Sequence, residues 1–137
     1  PDVVVTMSYV GSTWSDSTKA EAGFARTWDE LGPSVPVVVL RDYPTTGGRW
    51  SPECLAQNPH NEGACAVLQP TATPPDAAFE SAKKLGQGHV DLSDIFCDAE
   101  RCYPVVGSLP VYWDSDHITG TFARSPAPVL ATHLALP

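Results

Sequence analysis

Two short runs of β-branched apolar residues restrict the fold of this chain more than any other feature. Asp2–Ser8 reads DVVVTMS, and Val35–Leu40 contains the run VPVVVL. Runs of this kind are typical of strands that are buried on both faces in a parallel sheet. We therefore expect each run to form a strand of such a sheet.

The stretch between the two runs has the pattern of an amphipathic helix. Thr18 and Glu21 have the spacing of a capping box, and the pair Gly32 and Pro33 ends the pattern. A strand, a helix and a strand in this order predict a βαβ unit with a right-handed crossover, and hence an α/β fold. The apolar stripe of the helix consists of Ala20, Phe24, Trp28 and Leu31.

The alternation of helix and strand resumes after a long interruption. Residues 41–75 are rich in proline, and we expect an irregular excursion there. Asp76 is placed to cap a second helix that ends at Gly86, and His89–Leu92 is expected to form a third strand. The residues expected to point inward from the second helix are Ala78, Phe79, Ala82 and Leu85.

Length and charge exclude several classes of function. With 137 residues, the chain is expected to form a single domain over residues 1–137. Its net charge of -8 disfavours nucleic acid and anionic lipid as partners. No run of about 18 or more apolar residues occurs, and no secretory leader is evident. Because the chain begins with Pro1, we expect it to be a processed or excised piece.

The four cysteines fall into two local pairs. Cys54 and Cys65 form one pair, and Cys97 and Cys102 form the other. Disulfides that close loops of this size each contribute about 2–3 kcal/mol and favour an oxidising compartment. A zinc site that includes His60 and a set of free buried thiols are the alternatives, although no C-x-x-C spacing supports zinc.

The stretch YWDSDHITG, from Tyr112 to Gly120, contains a candidate acid-base pair. Asp114 lies three residues before His117, with Asp116 between them. A histidine accepts a proton from a weak nucleophile and returns it to a leaving group, while a carboxylate fixes its tautomer. Spacing alone leaves two alternatives open, a capping residue followed by an exposed histidine and a pair of metal ligands.

Four segments follow one another along the chain: PDVVVTMS, VPVVVLRDYP, VDLSDIFCDAERC and VYWDSDHIT. Their order resembles the later blocks of one family, the SGNH domains of acyltransferase-3 type membrane O-acyltransferases. The resemblance implies a three-layer, flavodoxin-like α/β fold with a parallel sheet. It also implies that Asp114 and His117 are the acid and the histidine of a Ser-His-Asp triad. Asp116 would then be an electrostatic neighbour of the pair or a solvated loop acid, and we expect the latter.

One block of that family is missing from the chain. No Gly-Asp-Ser sequence occurs, and the family's oxyanion-binding asparagine is not evident. Ser12 and Ser108, each preceded by glycine, are the nearest substitutes for the nucleophile. We therefore expect the chain to begin at the family's third strand and to lack the strands that precede it. Upstream sequence or a partner strand would then cover the edge of Asp2–Ser8.

The resemblance implies an extracytoplasmic enzyme that transfers an acyl group, with acetyl expected, to a cell-envelope glycan or a similar hydroxyl acceptor. It further implies an upstream transmembrane acyltransferase module as partner, acetyl-CoA as the donor to the full-length protein, and no cofactor or metal bound by this domain. The fragment alone is expected to be inactive. The alternatives are a secreted SGNH-type esterase and a noncatalytic, disulfide-stapled carbohydrate-binding domain.

A few other residues are weaker candidates for substrate contact. Arg41 and Asp42 either touch substrate or form a structural ion pair. The glycine-rich segment Thr45–Trp50 is interpreted as a flexible lip of the site, since it lacks the lysine of a phosphate loop. The tryptophans that either stack on a sugar ring or pack in the core or rim are Trp14, Trp50 and Trp113.

Overall fold

The computed structural model describes residues 2–10, 16–31, 34–49 and 51–134, and these form two compact units. The sheet unit comprises Pro1–Asp42 and Pro75–Asp91, and the stapled unit comprises Tyr43–Pro74 and Leu92–Pro137. The expectation of one domain over residues 1–137 stays a prediction.

In chain order the elements are β1 (Val4–Thr6), α1 (Ser17–Leu31), β2 (Val37–Leu40), α2 (Ser51–Gln57), a 3-10 turn (Glu62–Cys65), β3 (Val67–Leu68), α3 (Gln69–Ala72), α4 (Ala77–Lys84), β4 (Gly88–Val90), a 3-10 turn (Ser93–Ile95), β5 (Arg101–Cys102), β6 (Val105–Val106), β7 (Leu109–Pro110), α5 (Gly120–Arg124) and α6 (Ala127–Leu134).

The sheet unit contains a parallel three-stranded sheet in the order β1, β2, β4. Val4 pairs with Val37 in the first ladder, and Leu40 pairs with Val90 in the second. The three predicted strands are therefore confirmed. β1 and β2 are shorter than their apolar runs, and β4 begins one residue before the predicted His89–Leu92 and ends two residues before it does. The α/β class with a parallel sheet is also confirmed.

The core of the sheet unit lies on one face of β2. Val37 and Val39 are buried there, and Val39 is fully inaccessible to solvent. They pack with Trp28 of α1 and with Ala78 and Ala82 of α4. The sheet thus shares one apolar cluster with both helices, which is where burial stabilises this unit most.

Two predicted inward positions of the helices are wrong. Leu31 is 37% exposed and Leu85 is 50% exposed. Each lies at the C-terminal end of its helix: Leu31 is the last residue of α1, and Leu85 is the C-cap of α4. The helical pattern gave the correct face for the central residues of each helix, but not the length over which that face is covered.

The N-terminus of α1 is capped by a residue other than the predicted one. The Asp16 carboxylate accepts a hydrogen bond from the backbone N–H of Lys19, at 3.1 Å. The helix begins at Ser17, so Thr18 already lies within it and is not the cap. Glu21, the other half of the predicted capping box, forms an ion pair with Lys84 of α4 instead.

Asp76 caps α4 as the sequence predicted. Its Oδ1 accepts the backbone N–H groups of Ala78 and Phe79, each at 3.0 Å. Its Oδ2 accepts the backbone N–H of Asp42, also at 3.0 Å. Because Asp76 is only 1% exposed, these three charge-assisted hydrogen bonds replace the water that a buried carboxylate loses.

Gly88 allows β4 to approach β2 closely. A Cβ atom at this position would lie 2.9 Å from Val38 Cγ2 and 3.0 Å from the Val37 carbonyl oxygen. The second of these contacts is with backbone, which cannot rotate away. A side chain at residue 88 would therefore push the two strands apart.

The outer edge of β1 is open within the described part of the chain. β1 pairs with β2 on one side, and no described strand pairs with its other side. Val5 and Met7 are 42% and 46% exposed. An apolar strand with one free edge is the arrangement that the sequence predicted for Asp2–Ser8, and proteins usually cover such an edge.

The stapled unit is held by two disulfides. Cys54 is bonded to Cys65, and Cys97 is bonded to Cys102. The predicted pairing is confirmed, and the alternative of a zinc site with His60 is wrong because no free thiol remains. The strands of this unit are only two residues long and form two antiparallel pairs, β3 with β5 and β6 with β7.

The proline-rich segment is more regular than the sequence predicted. The part after residue 50 contains α2, a 3-10 turn, β3 and α3 rather than an irregular excursion. Pro52 and Pro70 lie in the first turn of α2 and α3, where proline is tolerated because the missing N–H has no partner in the helix. The prolines therefore mark helix starts as well as breaks.

The core of the stapled unit is an aromatic and aliphatic cluster. Val111 and Phe122 are at most 1% exposed, and Phe96 and Tyr112 are nearly as buried. The Phe96 and Phe122 rings meet edge to face, with centroids 5.1 Å apart.

In the described residues of both units, no helix is long and apolar enough to cross a bilayer.

Candidate active site

The segment from Tyr112 to Ile118 forms a closed loop in the stapled unit; we call it the Asp-His loop. Tyr112 and Ile118 form an antiparallel bridge, and the backbone N–H of Trp113 donates to the His117 carbonyl at 2.8 Å. The side chains of Asp114 and His117 lie between these closures. The loop backbone therefore fixes their separation.

Both ends of the Asp-His loop are anchored in the core. The Tyr112 hydroxyl donates to the Pro44 carbonyl at 2.5 Å, and the residue before it is the fully buried Val111. After the loop, Thr119 donates its N–H to the Val111 carbonyl at 2.7 Å. The Thr119 hydroxyl also caps α5 by accepting the N–H of Phe122. These contacts hold an exposed loop on a rigid base.

Asp114 and His117 are directly hydrogen-bonded. The distance from Asp114 Oδ2 to His117 Nδ1 is 2.8 Å. The other carboxylate oxygen, Oδ1, accepts the backbone N–H groups of Asp116 at 2.9 Å and His117 at 2.7 Å. One carboxylate therefore shapes the turn and orients the imidazole.

The hydrogen bonds to Asp114 stabilise its charged form. The two backbone N–H groups are the main cause that lowers the pKa of Asp114 to about 2; desolvation opposes them, and the hydrogen bond to the His117 ring adds a smaller lowering. The carboxylate thus stays ionised throughout the neutral range. An ionised acid at this position holds the neutral imidazole with Nδ1 protonated, since Nδ1 must be the donor.

His117 has a raised pKa. The hydrogen bond to Asp114 is the largest cause, followed by the negative charges of Asp114 and Asp116. Asp116 Oδ1 lies 3.3 Å from His117 Nδ1, so this residue is an electrostatic neighbour of the pair and not the solvated loop acid that we expected. Two carboxylates therefore favour the imidazolium, which is the form that appears when His117 accepts a proton.

The second ring nitrogen of His117 is available for chemistry. The side chain is 71% exposed, and Nε2 has no hydrogen bond to any residue that the structure describes. An imidazole held at Nδ1 by a carboxylate, with Nε2 accessible, has the arrangement of a general base. The geometry favours this arrangement over a helix cap followed by an unrelated histidine.

The same groups also meet the geometric requirement for a cation. Ligand atoms of Asp114, Asp116 and His117 all lie within 4.8 Å of one another. A cation on Nδ1 would displace the proton that His117 now donates to Asp114. Base catalysis and metal binding are therefore mutually exclusive roles for these three residues. Activity measured with and without a chelator distinguishes the two roles.

The structure describes only one of the two serine candidates. Ser12 is outside the described residues. Ser108 has φ 70° and, with Gly107 at φ 55°, forms the two-residue turn between β6 and β7, which explains its position by backbone geometry. Ser51 donates its N–H to the Asp114 carbonyl at 3.4 Å, but its side chain is buried and cannot meet a substrate.

Arg41 and Asp42 have structural partners in the sheet unit. The Arg41 guanidinium pairs with Asp91 at 3.2 Å and lies over the Phe79 ring. Asp42 is 7% exposed, and its Oδ2 accepts the N–H of Val10 at 2.8 Å. Arg41 thus forms a structural ion pair with Asp91, and Asp42 accepts a backbone hydrogen bond; contact of either residue with substrate stays a prediction.

Thr46 supports the Asp-His loop, and sequence reasoning missed it. Its buried hydroxyl contacts the carbonyl oxygens of Ser115 and, at 2.6 Å, Arg49. The interpretation of Thr45–Trp50 as a flexible lip stays a prediction, although Thr46 in its described part is hydrogen-bonded to the Asp-His loop. Thr46 and Ser115 are 69 residues apart, and no local pattern signals such a contact.

The family of the chain follows from its sequence as a whole. Residues 1–132 match the family described as "SGNH domain (fused to AT3 domains)". The chain belongs to this family. The resemblance of the four sequence segments is thereby confirmed, and the Asp-His loop is part of an SGNH domain. No curated protein matches the chain.

A solved structure has a similar fold. The SGNH domain is similar to the lipopolysaccharide acetyltransferase periplasmic domain of Salmonella ser. Paratyphi A, with a TM-score of 0.65 and 16% sequence identity. The match covers 95% of this chain and 57% of that one, so the SGNH domain described here spans a little over half of that structure. At this identity the likeness concerns the fold.

Proposed function

We propose that this SGNH domain supplies the histidine and the acid of an extracytoplasmic O-acyl transfer reaction. The observation that carries the proposal is the 2.8 Å hydrogen bond between Asp114 Oδ2 and His117 Nδ1, with Nε2 accessible. Membership of a family fused to AT3 domains supports acyl transfer as the reaction class. The two disulfides fit an oxidising compartment.

In the first half-reaction, His117 Nε2 accepts the proton of a serine hydroxyl as its oxygen attacks the acyl carbonyl carbon. The bond from that carbon to the donor's leaving group then breaks, and His117 gives its proton to the leaving group. Asp114 remains a carboxylate and stabilises the transient imidazolium. The product of this half-reaction is an acyl-serine ester.

In the second half-reaction, the same groups act on the acceptor. His117 Nε2 accepts the proton of an acceptor hydroxyl, whose oxygen attacks the carbonyl carbon of the acyl-serine. The ester bond to serine breaks, and His117 returns the proton to the serine oxygen. Water in place of the acceptor would give hydrolysis, which is the reaction of the esterase alternative.

The serine of this mechanism is proposed to lie in a Gly-Asp-Ser segment upstream of Pro1. No such segment occurs in the 137 residues, and Ser51 is buried. The open edge of β1 supports this proposal, because an additional parallel strand would cover Val5 and Met7. The chain on its own would then lack the nucleophile and be inactive.

A carbohydrate hydroxyl is the proposed acceptor. Trp113 is 72% exposed and is adjacent in sequence to Asp114, with its backbone hydrogen-bonded to His117. An indole face held beside the acid-base pair is suited to stacking on the apolar face of a sugar ring. The neighbouring structure is named a lipopolysaccharide acetyltransferase, which supports a cell-envelope glycan.

The donor side of the reaction is proposed to lie in the rest of the full-length protein. An upstream transmembrane acyltransferase module would receive the acyl group, with acetyl-CoA as the expected donor, and present it to the SGNH domain. The family description, which records fusion to AT3 domains, supports this arrangement.

The proposal is tested with a protein that contains the chain together with its upstream sequence. We expect a serine-directed fluorophosphonate to label it and model acetyl esters to be turned over. His117→Ala should lower turnover by about 10²–10⁴-fold, because the general base is removed. His89→Ala is the matched control, since His89 is exposed and contacts the Gln87 carbonyl in the sheet unit.

Several outcomes would decide against the proposal. Absence of labelling and turnover, with His117→Ala indistinguishable from the parent, would favour the noncatalytic carbohydrate-binding alternative. Loss of turnover on addition of a chelator would favour metal chemistry at Asp114, Asp116 and His117. Hydrolysis that no glycan acceptor diverts into transfer would favour the secreted esterase.

A further inference from the structure

A cleft of about 300 Å³ lies in the stapled unit, apart from the acid-base pair itself. We call it the arginine cleft, because Arg49 and Arg101 both line it. The other residues that line the cleft have small or medium-sized, uncharged side chains: Thr46, Gly47, Ala66, Val67, Leu68 and Thr71. We infer that this cleft binds an anionic group, carboxylate or phosphate, of the carbohydrate acceptor, an inference that rests on the proposed function.

The positive charges of the stapled unit are concentrated at this cleft. The unit contains only three of the chain's eight Lys and Arg residues, namely Arg49, Arg101 and Arg124, and the first two face one cleft. The chain as a whole carries a net charge of -8 and repels anions. A local pair of guanidinium groups on such a background gives an anion one favourable place to bind.

Neither Arg49 nor Arg101 forms a salt bridge with any residue that the structure describes. Asp98 is the acid that interacts electrostatically with Arg101, but its carboxylate accepts the N–H groups of Glu100 and Arg101 and the Tyr103 hydroxyl. The guanidinium of Arg101 therefore keeps its donors for another partner. A planar guanidinium matches carboxylate and phosphate oxygens with two parallel hydrogen bonds.

The arginine cleft is physically connected to the Asp-His loop. Thr46 lines the cleft, and its hydroxyl contacts the carbonyl oxygen of Ser115, the residue between Asp114 and Asp116. Ser51, two residues after Arg49, donates its N–H to the Asp114 carbonyl. The segment that carries Arg49 is thus hydrogen-bonded to the Asp-His loop on both sides of the arginine. The segment and the loop both belong to the stapled unit.

The uncharged lining favours a sugar over a free anion. Leu68 is 56% exposed and Val67 is half-buried, which offers an apolar surface to the C–H face of a ring. The exposed Thr71 adds a hydroxyl that can bond to ring hydroxyls. The sugar unit of the acceptor glycan that binds in the cleft would be acidic. Another sugar unit of the same glycan would then be presented to His117.

The test is a calorimetric titration of the SGNH domain with defined carbohydrates. The probes are a trigalacturonate, its methyl ester, a hexose phosphate and inorganic phosphate. We expect the charged sugars to bind more tightly than the methyl ester, and binding to weaken as salt is added. The relative affinities of trigalacturonate and hexose phosphate show whether carboxylate or phosphate is the preferred group.

Substitutions locate the binding site. Arg49→Gln and Arg101→Gln should each weaken binding of the charged sugar by roughly fivefold, and the double variant by roughly twentyfold. Arg49→Lys should give an intermediate loss, because it keeps the charge and loses the fork of donors. Arg124→Gln, which removes the third arginine of the unit, is the matched control and should change affinity by less than about twofold.

Other results would overturn the inference. These are equal affinity for the methyl ester, equal affinity for inorganic phosphate, or equal losses in the control and the cleft variants. His117→Ala separates this inference from the proposed function, because it should lower transfer by about 10²–10⁴-fold and leave binding of the charged sugar unchanged. Failure of the titrations with a normal effect of His117→Ala on transfer would remove the cleft and leave the catalytic proposal.

Discussion

The sheet unit is stabilised by burial between regular elements, whereas the stapled unit combines an aromatic core with two disulfides. In the sheet unit, Trp28 and the valines of β2 pack into one apolar cluster between helices and sheet. In the stapled unit, strands of two residues are joined by disulfides, and a carboxylate shapes the loop that carries His117. The candidate chemistry lies in the unit with the less regular backbone, where a loop can present polar groups to solvent.

The largest expected effect is reduction of both disulfides. Loss of the two bridges should lower the free energy of unfolding of the stapled unit by about 4–6 kcal/mol, at 2–3 kcal/mol for each. Amide hydrogen exchange before and after reduction measures this, and we expect the loss of protection in residues 51–68 and 92–111. Equal loss throughout β1, β2 and β4 would show that the two units do not differ in this way.

A smaller effect is expected from the core of the stapled unit. Phe122→Ala should lower the free energy of unfolding by about 3–5 kcal/mol, because Phe122 is 1% exposed and contacts Phe96. Chemical denaturation followed by Trp fluorescence measures the change. A loss below about 1 kcal/mol would mean that the disulfides alone hold this unit. Val129→Ala, on the exposed part of α6, is the control.

In the sheet unit, we expect the buried helix cap to matter more than the exposed one. Asp76→Ala should cost about 2–3 kcal/mol, because it leaves three buried N–H groups without their acceptor. Asp16→Ala, at the exposed start of α1, should cost about 0.5–1 kcal/mol. Thermal unfolding of the two variants measures the difference. Equal losses would contradict the importance given to burial in this unit.

Sequence reasoning was most successful where structure depends on short-range pattern. The apolar runs gave β1 and β2, and Asp76 was recognised as a cap from its position before an apolar helix. The same reasoning placed Leu31 and Leu85 inward, because a helical pattern does not tell how far the sheet extends beneath it. Local pattern predicts an element and its face, but not the extent of its partner.

The candidate site was only partly accessible to sequence reasoning. Asp114 and His117 are three residues apart, so their contact is local and could be predicted. Thr46 and the arginine cleft could not, because they depend on contacts between segments that are about 50 to 70 residues apart. For Asp116 the less favoured of two alternatives is the one observed, because its carboxylate position depends on the turn that Asp114 creates.

The most direct test of the acid-base pair is an NMR titration of the His117 imidazole, using ¹⁵N-labelled protein. We predict a pKa above the ordinary value of 6.5 and, at higher pH, a neutral ring with Nδ1 protonated. Asp114→Asn should lower this pKa toward 6.5, and Asp116→Asn should lower it less. Because the base is the neutral form, transfer activity should rise with pH through the pKa of His117. A pKa at or below 6.5 that Asp114→Asn leaves unchanged, or a neutral ring protonated at Nε2, would contradict the account.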